Sequence, residues 1–245
     1  SVTNDNNAYM QFEMPNGEIV REAVNDAEVS VVDGKKWHVF SCEVSAKEMS
    51  DKINAQMIIG NDTISAEYTY SVKEYADNLL DGDYSDEAKQ LVSTMLSYGS
   101  YAKAYFSNEN LTTTPEINAV TVDILSDYAG KTSGTLSDDV KYYGSSLLLE
   151  SDTTLRHYFK ITDGTDVSQY DFSGNKGNYY YIDISDISAD KLDVACKTSI
   201  GGYTVSYSPM SYAHAVLSSD NASDSLKNVV RALFLYNQAA NAYQQ

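Results

Sequence analysis

One stretch occurs twice in this chain, and a sequence that carries the same unit twice must fold as something that can be built twice. Residues 71–105 read SVKEYADNLLDGDYSDEAKQLVSTMLSYGSYAKAY, and residues 208–243 read SPMSYAHAVLSSDNASDSLKNVVRALFLYNQAANAY. With one extra residue in the loop of the second copy, thirteen positions are identical, Ser71/Ser208, Tyr75/Tyr212, Ser85/Ser223, Tyr98/Tyr236 and Tyr105/Tyr243 among them. About two would coincide by chance, so the period marks a duplication. The phrase VSAKEM at 44–49 matches ISADKL at 187–192, which extends the repeat into the preceding residues.

Each copy predicts a helical hairpin. Ser71 with Glu74 forms a capping-box pattern, and Ser208 precedes Pro209, which suits a first helical position. Ser85 and Ser223 cap a second, longer helix, with Asp86 and Asp224 near its positive end. Leu91, Val92, Met95, Leu96, Gly99 and Ala102 recur at helical spacing, as do Val229, Val230, Leu233, Phe234, Asn237 and Ala240. Those apolar stripes need a covering layer, and the segments before each hairpin supply strands. Tyr9–Met14 and Glu18–Val24 flank a Pro-Asn-Gly turn; Glu28–Val32, Lys36–Val44, Ile53–Ile59 and Ile64–Tyr70 follow. Residues 1–7 are polar. In the second copy, Val120–Leu125 opens the module, Tyr142–Leu149 and Leu155–Ile161 flank a turn at Ser151-Asp152-Thr153, and Tyr170–Phe172 is short. Tyr179–Ile187 alternates, with Tyr180, Ile182 and Ile184 on one face and Tyr179, Tyr181 and Asp183 on the other. Leu192–Ile200 and Tyr203–Tyr207 complete the pattern. The expected fold class is α+β: two tandem repeats, each a small antiparallel β-sandwich followed by a C-terminal helical hairpin. The modules run over 1–110 and 115–245, about a polar segment at 107–116. The first is shorter and lacks a clear counterpart of residues 120–150.

Charge narrows the function. Net charge is −18, from 35 acidic and 17 basic residues. Phosphate neutralisation needs Lys/Arg patches, so nucleic acid and anionic membrane surfaces are disfavoured as partners. No apolar run reaches the length of a membrane span. The 21 tyrosines, set against three prolines and many Ser, Thr, Asn and Asp residues, fit a secreted bacterial surface protein. Cys42 and Cys196 lie at non-equivalent places in the two copies and are expected as buried free thiols rather than a disulfide.

The residue types that carry chemistry lack the spacing that chemistry needs. The loop Asp81–Glu87 invites a calcium reading, but the sixth and twelfth positions of an EF-hand loop would fall on Asp86 and Val92, which cannot serve. His38, His157 and His214 have no zinc spacing. There is no G-x-S-x-G elbow, and no glycine-rich phosphate loop. Glu150 and Arg156 are expected as a cross-strand pair. No cofactor and no metal is expected. The remaining lead is aromatic: Trp37, Tyr142, Tyr143, Tyr179 and Tyr181 are the candidate ligand-binding residues, because Trp and Tyr offer large flat contact areas at low rotamer cost.

The phrases YTYSVKEYADNLL, LVSTMLSYGSYAKAYF, YYGSSLLLESDTTLRHYFKI and LKNVVRALFLYNQAANAY resemble a duplicated C-terminal accessory module of large secreted or surface proteins of gut and rumen Gram-positive anaerobes. The resemblance spans nearly the whole chain and implies extracellular location and modular use within a larger multidomain protein. It carries no catalytic residues across. The resulting expectation is a non-catalytic binding or adhesion module that recognises glycan through exposed aromatics. The alternatives are a protein-binding surface of adhesin or immunoglobulin-binding type, with a host or bacterial protein as partner, and a ligand-free spacer.

Overall fold

The computed structural model describes residues 8–60, 62–63, 67–150 and 154–244. The expected polar start at 1–7, the turn at 151–153 and the first half of the expected strand 64–70 lie outside these. The fold mixes helices with open antiparallel sheets, and the chain divides into two compact units, residues 1–83 and 84–245.

In the first unit, β1 (Ala8–Glu13) and β2 (Ile19–Ala23) form the hairpin expected around Asn16-Gly17, with Met14 accepting from the Gly17 amide. β1 also pairs with β5 (Ile53–Ile59), whose other edge carries β6 (Asp62–Thr63) and β7 (Tyr68–Tyr70). β3 (Glu28–Val32) and β4 (Lys35–Val39) make a separate two-stranded ribbon. Helix α1 (Val72–Asp81) follows β7 directly. The Ser71 hydroxyl accepts from the Glu74 amide as a cap should, and the Glu74 carboxylate both faces Ser71 and pairs with Lys52.

The second unit begins with the long helix α2 (Asp86–Phe106), capped by Ser85 as expected. The second compact unit thus begins ahead of α2. A short helix α3 (Pro115–Ala119) and a 3-10 turn over Asp123–Tyr128 occupy the region that opens the second module in the sequence. β11 (Gly174–Lys176), β12 (Tyr179–Ile184), β10 (Thr154–Ile161) and β9 (Val140–Leu148) form one sheet in that order. β13 (Cys196–Ile200), β14 (Tyr203–Tyr207) and β8 (Lys131–Ser133) form another. Val140, Phe159 and Ile161 of the first and Ile200 and Val205 of the second share one buried core. Helices α4 (Pro209–Ser218) and α5 (Asp224–Tyr243) close the chain. At α4 the capping box is complete, with Ser208 and Ser211 each satisfying the other's amide.

α2 packs along α5, and at their contact Tyr98 stacks on Tyr236, ring centroids 6.2 Å apart and 13° from parallel. Tyr98 and Tyr236 are the same position of the repeated sequence. Two further details recur. Ile53 lies opposite Tyr70, as Cys196 lies opposite Tyr207. The second residue of the following helix donates its amide to the carbonyl that closes the preceding 3-10 turn, Lys73 to Met49 (2.8 Å) and Met210 to Leu192 (3.1 Å).

Several sequence expectations need correction: residues 170–172 form no strand, and the expected strand 192–200 starts only at Cys196, after a 3-10 turn over Ala189–Lys191. Both cysteines are free but only half-buried: the expected strand 36–44 ends at Val39, which leaves Cys42 in irregular chain, and Cys196 opens the half-exposed strand β13; burial still pushes both thiols above their usual range. Arg156 does not pair across the turn with Glu150. It grips Asp183 on β12 with two bonds of 2.6 and 2.7 Å, because β12 is its other neighbour in the sheet.

Candidate functional site

The outward face of the β9–β12 sheet gathers most of the predicted aromatics. On β10 the inward residues Leu155, His157, Phe159 and Ile161 alternate with outward Arg156, Tyr158 and Lys160. The register sets Tyr158 opposite Tyr181, Lys160 opposite Tyr179 and Arg156 opposite Asp183. On the other side a bulge between Tyr158 and Phe159 leaves Tyr143 as the extra residue of β9, and a bulge turns such a residue out of the ladder. Tyr143 is 67% exposed and sits edge-on to Tyr179, centroids 4.9 Å apart. Tyr158 meets Tyr181 edge-on at 6.4 Å. Four tyrosines thus lie in two interlocked pairs on one face.

Cations interleave them. The Arg156 guanidinium lies 3.7 Å from the centre of the Tyr181 ring, and Lys160 Nζ lies 5.8 Å from that of Tyr179. Lys141 and Lys176, both exposed, stand opposite Lys160 and Tyr179 on the flanking strands. The Asp183 carboxylate holds the Arg156 guanidinium even further above its ordinary range, so this side chain stays charged and fixed. Tyr181 is held flat by its other neighbour too: a Cβ on Gly174 would come within 2.4 Å of the Tyr181 hydroxyl, so only glycine lets the ring lie there. A cation over an aromatic face contributes about 0.5–1 kcal/mol at an exposed site, which here serves to orient the rings.

Tyr142 is not part of this face. It points inward, packs against Phe159 and Tyr203, and its hydroxyl lies 2.6 Å from Ser145 Oγ. Ser145 Oγ in turn lies 2.5 Å from Nδ1 of His157. His157 is 0% exposed, its Nε2 has no partner among the described residues, and burial pushes its pKa down to about 4. The Ser–His contact is therefore a hydrogen-bond chain that ends on a buried, neutral imidazole. Trp37 belongs to the first unit. It is 56% exposed on the β3–β4 ribbon, on the same face as the exposed Val32 and Val39.

The sequence reading missed Arg156, Tyr158, Lys160, Lys141 and Lys176 as members of this face. The alternation of β10 was visible, but the pairing that puts its outward residues among the β12 tyrosines was not. Among the described residues no group of three or more His, Cys, Asp or Glu side chains could hold a metal ion, and no helix is long and apolar enough to cross a membrane. No protein-family model, curated protein or solved structure matches the chain.

Proposed function

We propose that the chain is a non-catalytic binding module of a secreted or cell-surface bacterial protein, and that it takes up glycan on the tyrosine face of the second unit. The observation that carries this reading is the cluster of Tyr143, Tyr158, Tyr179 and Tyr181 interleaved with Arg156, Lys160, Lys141 and Lys176. Tyrosine rings offer their apolar faces to the C–H groups of a sugar, and their hydroxyls reach its oxygens. In a chain of net charge −18, lysines collected beside those rings favour a sugar that bears a carboxylate or sulfate. Tyr143 is the open platform, because Arg156 already covers one face of Tyr181.

The same proposal includes an architecture of two tandem copies, each a β-sandwich with a helical hairpin. The recurrent strand register, the recurrent bond from the 3-10 turn to the helix start, and the stacking of Tyr98 on its own counterpart Tyr236 support it. The first copy's long helix then packs with the second copy's, which accounts for α2 lying in the second compact unit.

The test is saturation-transfer NMR of the whole chain against neutral, uronate-bearing and sulfated glycans at low salt. Acidic glycans bind, Tyr143→Ala weakens them tenfold or more, and salt at about 0.5 M, where the Debye length falls to about 4 Å, weakens them further by screening. Silence across the panel rejects the reading.

A further inference from the structure

The proposed equivalence of the two copies exposes a difference between them. In the second unit the start of α4 and the outer edge of β14 are covered. β14 pairs with β8, Thr132 standing opposite Val205 and Lys131 opposite Ser206. Just ahead of β8, Gly130 lies against the ring of Tyr207, where an added Cβ would come within 2.2 Å of a ring carbon. Ser211 donates its hydroxyl to the Tyr128 carbonyl at 2.5 Å. Val205 itself is 0% exposed, set in the core that the two sheets share.

In the first unit no described residue covers the matching surface in this way. Tyr68, Tyr70 and Tyr75 take the places of Val205, Tyr207 and Tyr212. Among the described residues β7 pairs with β5 alone. Tyr68 is 64% exposed, and Tyr75 is exposed as well. Between β7, β5 and the start of α1 lies an open groove of about 360 Å³, lined by Phe12, Cys42, Ile53, Tyr68, Tyr70 and Tyr75 among others. Tyr68 and Tyr70 stack along one wall, centroids 5.7 Å apart. An uncovered strand edge beside an apolar groove is a template for strand addition.

We propose that this groove takes an extended segment of a partner protein, added as a strand on the outer edge of β7, with apolar side chains set into the groove and basic residues flanking them. The rest of the molecule supplies both parts of that description. The covering segment of the second unit shows the form: an extended stretch, led by a small residue over the tyrosine. Charge supplies the flanks, since residues 1–83 hold 16 acidic and 6 basic side chains, a net of −10. A second copy of the chain is a poor occupant. It carries −18 itself, and its own covering segment is engaged on β14. The inference rests on the equivalence of the copies and is independent of glycan binding.

The experiment uses the full chain, ¹⁵N-labelled, and three synthetic peptides: alternating Val and Thr flanked by Lys, the same core flanked by Glu, and the Lys-flanked peptide interrupted by Pro. The Lys-flanked peptide binds at least tenfold more tightly than the Glu-flanked one, and proline abolishes binding by removing a strand donor. Amide shifts are confined to the groove walls, chiefly β7 and the first turns of α1. Tyr68→Glu and Tyr75→Glu each weaken the peptide tenfold or more while the circular dichroism spectrum and melting curve stay unchanged; Tyr143→Ala leaves it unchanged. Absence of saturable binding up to millimolar peptide overturns the proposal, as do shifts mapping elsewhere. So does sedimentation equilibrium that finds a dimer which Tyr68→Glu dissociates, because the groove would then belong to a second copy.

Discussion

Acidification between pH 6.5 and 4 should destabilise the second unit through one side chain. His157 is fully buried, bonded through Nδ1 to Ser145 at 2.5 Å and set edge-on against Tyr207, centroids 6.1 Å apart. Its folded pKa is pushed down to about 4 by burial, against about 6.5 in an unfolded chain. Between those values the unfolded chain binds a proton that the folded chain does not. Stability therefore rises with pH across this window, by about 1.4 kcal/mol per unit at most, and is lost as pH falls. Integration gives a loss of about 2 kcal/mol by pH 5 and roughly 3 kcal/mol by pH 4. Carboxylate titration adds to the loss only toward the lower end, so pH 7.5 to 5 isolates the histidine. Urea unfolding at pH 7.5, 6 and 5, followed by a signal from the second unit, measures the slope. His157→Gln, which cannot titrate, should be less stable at pH 7.5 and flat across the window. Equal slopes in the two proteins, or a ¹H NMR titration of His157 centred near 6.5, would refute the assignment of a neutral core imidazole.

Other consequences of the packing are open to direct measurement. Gly130→Ala places a Cβ within 2.2 Å of the Tyr207 ring; Tyr207 is itself wedged against His157, so a loss of about 1–3 kcal/mol is expected on chemical denaturation, and a neutral outcome would mean the ring has room to move. Phe159→Ala empties the centre of the shared core, where Phe159 is 0% exposed, and should cost about 3–5 kcal/mol; a cost under 1 kcal/mol would show that the two sheets do not depend on it. Ser208→Ala removes a buried cap and its reciprocal bond with Ser211, a loss of about 1–2 kcal/mol, whereas exposed Ser85→Ala should cost less. Equal effects at the two caps would contradict the burial argument.

Local chemistry made much of this readable in advance. Ser85 and Ser223 cap helices in the structure because a serine hydroxyl can accept from the amide three residues on without help from the rest of the molecule. The inward face of β12 was legible for the same reason: Tyr180 and Ile182 face the core simply because strand residues alternate. The candidate face was legible only in part. Tyr143, Tyr179 and Tyr181 belong to it, but Tyr142 does not, because a bulge opposite Tyr158 reverses which of two adjacent tyrosines looks outward. Tyr158, Arg156 and the three lysines were missed because their neighbours come from other strands. The partner of Arg156 was misassigned for that reason as well: nearness along the chain favoured Glu150, and the sheet order put Asp183 beside it.

The amino-acid order alone determined the helical hairpins and their serine caps, the alternation of strands such as β10 and β12, and the echo between residues 71–105 and 208–243. These depend on interactions within a few residues, or on comparison of the chain with itself. Only the tertiary structure decided which edges and faces are covered. Strand register, the bulge at Tyr143, the burial of Val205 beside the exposure of Tyr68, and the neutral His157 arise from contacts between residues distant in sequence, whose free energies no local pattern encodes.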